Sequence, residues 1–409
     1  MTAPTRPPSA PRPSSAPSVR PELALPGVLL GSLLTVGAFI ALAALLTAVP
    51  SGNRALPDYQ PWLDALPHNL PGRLQWALGD MTEPQFYKSW IASLGLLAGA
   101  VIGWAALRRN KRWAGTPIAY GSGLWPWMLG ASALSLVLSN TAFGSSLQNG
   151  WQPTFVPFVC VATSIILIYG GSWTRLLTGA VLGAFTTPLA MLLIAQVTQP
   201  LGLPSVVANT AAMSIGAALA FLLCRTMPWM SRHPAPDSTP QTEAVRQAVQ
   251  VPTLRSDTLW TMRRILTDFT ETQFYANEWA SVGLIAGACL TTVLNPESAA
   301  FGTGLLPRIM AAQALTSAIG IVVYRHLYRD GGWAPTYVAV VSVAPATVLA
   351  YTDSILALAL GALAGGLVCP LIARQVSRAL PTDFHPFIGN TVAMAVSTAA
   401  IVPAIGLVA

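Results

Sequence analysis

The feature that most constrains this chain is that it contains one unit twice. LGDMTEPQFYKSWIASLGLLAGA, beginning at Leu78, reappears 188 residues later as LTDFTETQFYANEWASVGLIAGA, beginning at Leu266. Further correspondences follow in the same order at a spacing of 181 or 182 residues. Tyr120-Gly121-Ser122-Gly123-Leu124 with Pro126 answers to Phe301-Gly302-Thr303-Gly304-Leu305 with Pro307, and GWQPTFV from Gly150 answers to GWAPTYV from Gly332. Gly179, Gly183 and Pro188 match Gly361, Gly365 and Pro370; Asn209, Thr210 and Met213 match Asn390, Thr391 and Met394. Collinear matches at nearly constant spacing mark a duplicated unit of about 180 residues. Any fold for this chain must be built from that unit twice.

The solvent for that fold follows from charge content. Only 9% of residues are charged and 53% are hydrophobic, whereas a soluble domain carries charge on about a quarter of its residues. Apolar runs near the length of about 20 residues needed to cross a bilayer recur from residue 25 onward. The expected fold class is an all-α polytopic membrane protein. Each unit reads as five spans, near 90–107, 117–139, 154–171, 176–197 and 203–224 in the first, and near 278–295, 301–324, 334–351, 354–373 and 385–408 in the second. A preceding apolar run at 25–49 is too long for the roughly 7–15 residue core of a cleavable signal and is read as a retained N-terminal transmembrane helix; cleavage near Ala48 is the alternative.

An odd number of spans per unit turns the second copy over, giving two inverted-topology repeats. Basic residues test the orientation, because Lys and Arg favour cytoplasmic connections. Of the 22 basic residues, all fall in segments this topology makes cytoplasmic except Arg54, Arg73, Lys88 and Arg308. The expectation is a multi-pass protein of the cytoplasmic membrane with its N-terminus inside and its C-terminus outside. The net charge of +7 is scattered among short connections, which argues against nucleic acid as a partner. The organisation is a disordered Pro/Ser/Ala-rich tail at 1–24, the helix at 25–49, a first repeat with a preceding interfacial segment at 50–225, a cytoplasmic linker at 226–254 and the second repeat at 255–409. Segments around Leu74, Trp76 and Leu78, and around Leu259, Trp260 and Ile265, are expected to lie along the interface.

Inverted repeats bring equivalent segments together near the bilayer centre, where such transporters bind substrate, so duplicated polar residues are the first candidates. Asn209 and Thr210, with Asn390 and Thr391, fall roughly 8–10 Å into their helices, deep enough that their side chains must be bonded or face water. Either they coordinate a substrate or they bond helix to helix. Pro188 and Pro370 each free a carbonyl near mid-span, and the turns Gly121-Ser122 and Gly302-Thr303 before Pro126 and Pro307 are expected to interrupt the second span of each unit. Arg308, seven residues into an apolar run where the first unit has Trp127, suits an anionic group; it has the alternatives of snorkelling or pairing with a carboxylate such as Glu278. His385 suits a proton relay or a plain surface position. Asp80 and Glu83, repeated as Asp268 and Glu271, fit helix starts by the D-x-T-E spacing, or gating and ion coupling at the two mouths.

Catalytic signatures such as HExxH, a P-loop or GxSxG with partners do not occur. The histidines His68, His233, His326 and His385 have no metal spacing, and the four cysteines lie singly in apolar runs. No enzyme activity, cofactor or metal is expected. The reading is a secondary transporter for a small polar or anionic metabolite, working by alternating access, with the bilayer, its substrate and a coupling ion as partners and room for a homo-oligomer. The runner-up is a passive channel with an architecture like that of the urea and ammonium channels, whose motif residues and paired pore histidines have no equivalent here. A scaffold or a membrane-embedded enzyme ranks third.

Overall fold

The computed structural model describes residues 23–49, 54–66, 69–231, 253–331 and 333–408. Most of the expected tail, and the stretch 232–252 of the expected linker, lie outside the described residues. The helices are α1 (Leu25–Thr47), α2 (Tyr59–Ala65), α3 (Leu70–Asp80), α4 (Trp90–Arg108), α5 (Trp125–Phe143), α6 (Val161–Tyr169), α7 (Trp173–Ala184), α8 (Thr186–Leu193) and α9 (Ser205–Cys224). They continue with α10 (Leu254–Asp268), α11 (Glu278–Leu294), α12 (Leu306–Tyr324), α13 (Tyr337–Val340), α14 (Val343–Ala350), α15 (Ile355–Ala379) and α16 (Phe387–Ile405). Among the described residues there is no strand, and seven helical stretches are long and apolar enough to cross a membrane. Each of the eleven expected spans coincides with helix, but the third span of both units and the first of the second unit are shorter apolar stretches, and α5, the second span of the first unit, is not among the seven.

Local chemistry sets the helix ends. Ser89, Ser172 and Ser354 cap α4, α7 and α15 by accepting a backbone N–H, Asn277 caps α11, and Thr253 with Ser256 forms a reciprocal capping box on α10. Pro126 and Pro307 sit in the first turn of α5 and α12, where no N–H is required of them. They open these helices rather than interrupting them, which corrects the expectation from sequence. The turns before them are left-handed in both copies: φ is positive at Ala119, Tyr120, Gly121 and Gly123, and at Ala300, Phe301, Gly302 and Gly304. Pro188 stands four residues beyond Ala184, whose carbonyl its ring would strike, and the fourth span of the first unit accordingly divides into α7 and α8 there. Its counterpart Pro370 lies inside the unbroken α15.

The two units meet through equivalent residues. Gly95 of α4 faces Gly283 of α11, and a Cβ on either would collide with the other's carbonyl oxygen. Gly99 is pressed against Trp279, and Gly287 against Ala92, whose Cα would lie only 2.6 Å from a Cβ added at Gly287, so as α4 advances α11 recedes and the two helices run antiparallel. Just before them the chains touch again. Gln85 and Gln273 exchange a pair of amide hydrogen bonds, both 2.8 Å, and each also donates to the other unit's backbone, at Phe269 and Met81. A second antiparallel pair is α9 with α16, joined by Ser214 to Thr391 (2.8 Å) and at the helix ends by Arg225 to Asp383. Helix α1 has no partner in the repeat; Gly27 and Gly31 let it lie directly on α10, where Phe39 stacks on Phe269 at 5.1 Å.

Since a Cβ at the Gly95 crossing has nowhere to go, Gly95→Val should cost at least ~1–3 kcal/mol, the usual scale of overpacking, and lower the unfolding temperature of the detergent-solubilised protein. Gly37→Val on α1, a glycine with open space around it, should leave that temperature nearly unchanged.

Candidate functional site

The third span of each unit is broken at equivalent positions. Residues Val156–Val159 form a tight turn, Cys160 leaves helical geometry (φ −135°, ψ −101°), and α6 follows. Ser342 does the same (φ −141°, ψ −89°) between α13 and α14. Each breaking residue turns its side chain back to the carbonyl four residues earlier, Cys160 Sγ to Val156 O at 3.1 Å and Ser342 Oγ to Val338 O at 2.7 Å, the local bond with which such side chains compete against helix. A freed carbonyl, Val340 O, accepts from Gln313 at 2.9 Å.

The repeated TE-x-QFY segment supplies the second element. Glu83–Gln85 and Glu271–Gln273 each form a single tight turn, and the following Phe86 and Phe274 are left-handed (φ 67° and 64°). Bulky residues seldom take this conformation unless their surroundings impose it. Both rings line one cavity.

Around these turns lie two buried charge clusters. In the first, Lys88 bonds Asp80 and also Glu83 (2.6 Å), while its ammonium sits 3.4 Å above the Trp76 ring. Asn140 (2.8 Å) and Thr154 (2.9 Å) donate to Asp80, and Trp151 donates to Glu83 at 2.5 Å. In the second, Arg264 bonds Asp268 (2.6 Å) and Glu271 (2.5 Å), Ser317 and Thr336 donate to Asp268, and Trp333 donates to Glu271. The carboxylates are equivalent by the repeat, but the cations are not. Arg264 occupies the position of Trp76, and Ala276 occupies the position of Lys88. Each half has placed one cation against its acid pair from a different place in the chain.

This arrangement corrects two expectations. Asp80 and Asp268 close α3 and α10 rather than starting a helix, because the positive partner is a buried side chain and not a helix N-terminus. Nor do the two acidic segments sit at opposite mouths: the Gln85–Gln273 pair brings them into contact at the centre of the protein.

The cavity, about 760 Å³, lies where these parts converge. Its aromatic walls are Phe86, Trp151, Phe155, Phe274, Phe301 and Tyr337, and α9 and α16 close the sides. Of the residues singled out from sequence, Asn209, Thr210, Thr391, Thr303 and Glu83 line it. Thr210 bonds its own helix at Val206 O, and Thr391 bonds Ser214. Asn390 stands behind the wall, donating to the Tyr337 hydroxyl at 2.8 Å. Its counterpart Asn209 has Phe155 where Asn390 has Tyr337, so only the Asn390 amide nitrogen gains that partner, while the amide oxygens of both asparagines are buried without one.

One end of the cavity is floored by Phe274 and Phe387, with the His385 ring packed behind them at 5.5 and 5.7 Å. Burial among these rings lowers the His385 pKa to about 4. The imidazole is therefore neutral at ordinary pH, and its Nδ1 accepts the Phe387 N–H at 3.1 Å. Below the floor, Arg225 holds Asp383 through two bonds (2.6 and 2.8 Å) and Phe384 stacks on Phe221. By the repeat, Asp383, Phe384 and His385 correspond to Gly202, Leu203 and Pro204, and Arg225 and Phe221 to Gly406 and Val402. Gly202, Leu203, Pro204 and Val402 line the opposite end of the cavity. The fastening is therefore present at one end and missing at the other.

The remaining candidates lie elsewhere. Arg308 is exposed and bonds the Thr352 carbonyl, while Glu278 is held by Arg263 and Thr116. Ser122 bonds Ala119 O in the turn equivalent to that of Thr303, Gly121 adjoins it, and Gly302 rests against Tyr59. Pro188 and Pro370 do not line the cavity, and Asp80, Asp268 and Glu271 are engaged in the charge clusters. Sequence reasoning passed over Lys88, which it counted as an outer-loop charge, and Arg264, which it counted as cytoplasmic. It also passed over the Tyr337/Phe155 difference, although that difference is visible in the aligned GWAPTYV and GWQPTFV.

Removing Lys88 leaves two buried carboxyls without a cation, so Lys88→Ala should destabilise by about 3–5 kcal/mol, the scale for breaking a buried pair. Adding Trp76→Arg copies the second half's arrangement into the first and should recover a large part of that loss in thermal unfolding. Compared with known proteins, the chain matches no family model and none of the curated proteins.

Proposed function

We propose that this chain is a secondary transporter, without enzymatic activity, that moves a small uncharged polar solute with a flat apolar body across the cytoplasmic membrane. The observation that carries the reading is the cavity itself, formed where duplicated, helix-breaking elements from both halves converge, and fastened at one end by an ion pair and a Phe221–Phe384 stack whose repeat equivalents are absent from the other. Its volume is that of a small-molecule site. Aromatic walls favour a flat solute, while the Asn209 oxygen and the Thr303 and Thr391 hydroxyls offer a few fixed polar contacts. Among the described lining residues no Lys, Arg or His appears, and Arg308 lies outside, so the anionic cargo suggested by Arg308 loses its support.

The antiparallel crossing of α4 with α11, and of α9 with α16, supports inverted-topology repeats, a symmetry that permits one half to rock against the other. Arg225 and Asp383, paired across the halves, both belong to segments assigned to the cytoplasm by the distribution of basic residues. We place the N-terminus inside, the C-terminus outside and the cavity's unfastened end facing out. The closed floor favours alternating access over a continuous pore.

Uptake of uncharged amides, nucleobase-like and sugar-like solutes into proteoliposomes tests this. The expected result is saturable uptake with counterflow for one solute class, and about tenfold weaker apparent affinity in Asn209→Ala, equivalent to ~1.4 kcal/mol. Uptake that rises linearly with concentration and shows no counterflow would favour the passive channel.

A further inference from the structure

Each half buries two carboxyl groups against one cation. Asp80, Glu83 and Lys88 are 0–3% exposed, and Asp268 and Glu271 are 0–1% exposed beside Arg264. With both acids ionised each cluster carries a surplus negative charge in a low-dielectric interior, where an uncompensated charge is among the most costly things a protein can hold. The same imbalance survives in both halves although the cation has been supplied from different positions, so the two-to-one ratio is a property of the site and not of one lysine.

We propose that each cluster binds one proton, carried by Glu83 in the first half and by Glu271 in the second, and that Glu83 exchanges its proton through the cavity. The hydrogen bonds choose between the acids. In the first half Asp80 receives three donors, from Lys88, Asn140 and Thr154, whereas Glu83 receives one, from Trp151, and its other oxygen meets Lys88 as an ion pair without a hydrogen bond. In the second half Asp268 again receives three, from Arg264, Thr336 and Ser317, and Glu271 two, from Arg264 and Trp333. Donors stabilise the charged carboxylate, so the proton resides on the glutamate with fewer. The titratable groups facing Glu83 are Asp80, Lys88 and Tyr59; those facing Glu271 are Arg264, Asp268, Tyr120 and Tyr337. The Tyr59 hydroxyl, 5% exposed and without a hydrogen-bond partner, is a polar group placed to answer a change of protonation at Glu83. Glu83 lines the cavity, so its proton has a route to solvent at the unfastened end. On the transporter reading, the coupling ion is then a proton.

Infrared spectroscopy of the purified full-length protein reads this without any solute. At neutral pH the wild type should show a protonated-carboxyl stretching band that falls as the pH is made alkaline. Glu83→Gln and Glu271→Gln should each remove about half of it, and the double variant nearly all. Asp80→Asn, which removes the surplus charge and keeps Glu83, should also lose about half, because Glu83 then ionises beside Lys88; a purely structural glutamate would not respond. A wild-type spectrum with no protonated-carboxyl band at neutral pH, or a band untouched by both Gln variants, overturns the proposal. If the band behaves as expected but a pH gradient drives no solute accumulation in proteoliposomes, the proton sites stand and the transport reading fails.

Discussion

Everything in this molecule hangs on the closeness with which α4 and α11 cross. Glycine at Gly95 and Gly283, and again at Gly99 and Gly287, leaves no Cβ to hold the two backbones apart, and small residues at helix interfaces are how bilayer proteins gain packing where water supplies no hydrophobic push between helices. Once the backbones meet there, the segments just ahead of them are forced into contact, and the Gln85–Gln273 amide pair closes over the junction. The left-handed Phe86 and Phe274, the buried acids and the cavity all take their places from that crossing.

The cavity inherits symmetry in its framework and loses it in its surface. Broken third spans, tight TE-x-QFY turns and paired α9 and α16 come from both halves alike, while the groups that meet a solute differ. Tyr337 accepts from the Asn390 amide nitrogen and Phe155 offers Asn209 no such acceptor, while the amide oxygens of both asparagines are left without a partner. A site built on two equal halves can in this way present unequal hydrogen-bonding groups at equivalent positions.

The duplication, the helical class and the positions of the spans were legible because the repeat multiplies every signal and because hydrophobic run length is a direct physical requirement of the bilayer. The place where the spans break was not. Proline was the visible marker, and Pro188 does accompany the division of α7 from α8, yet Pro126 and Pro307 fall in first turns and Pro370 is carried within α15, while the matched breaks of the third spans fall at Cys160 and Ser342, whose side chains bond back to their own helix. Charges misled for a related reason. Lys88 and Arg308 look alike as basic residues beside apolar runs, but only tertiary contacts put Lys88 between two buried acids and Arg308 at an exposed corner. Asn209 and Thr391 stood out by duplication alone, and both line the cavity; the different surroundings of Asn209 and Asn390 needed the comparison of their neighbours.

On the transporter reading, the ion pair and ring stack at Arg225, Asp383, Phe384 and Phe221, absent at their repeat equivalents Gly406, Gly202, Leu203 and Val402, mean that the two closed forms are not isoenergetic. Fastening one end tilts the resting equilibrium toward the form open at the other. A carrier biased in that way is kinetically asymmetric: under equal solute on both sides it would be met far more often from one face, so its half-saturation constants for entry and exit would differ even with identical contacts in the cavity.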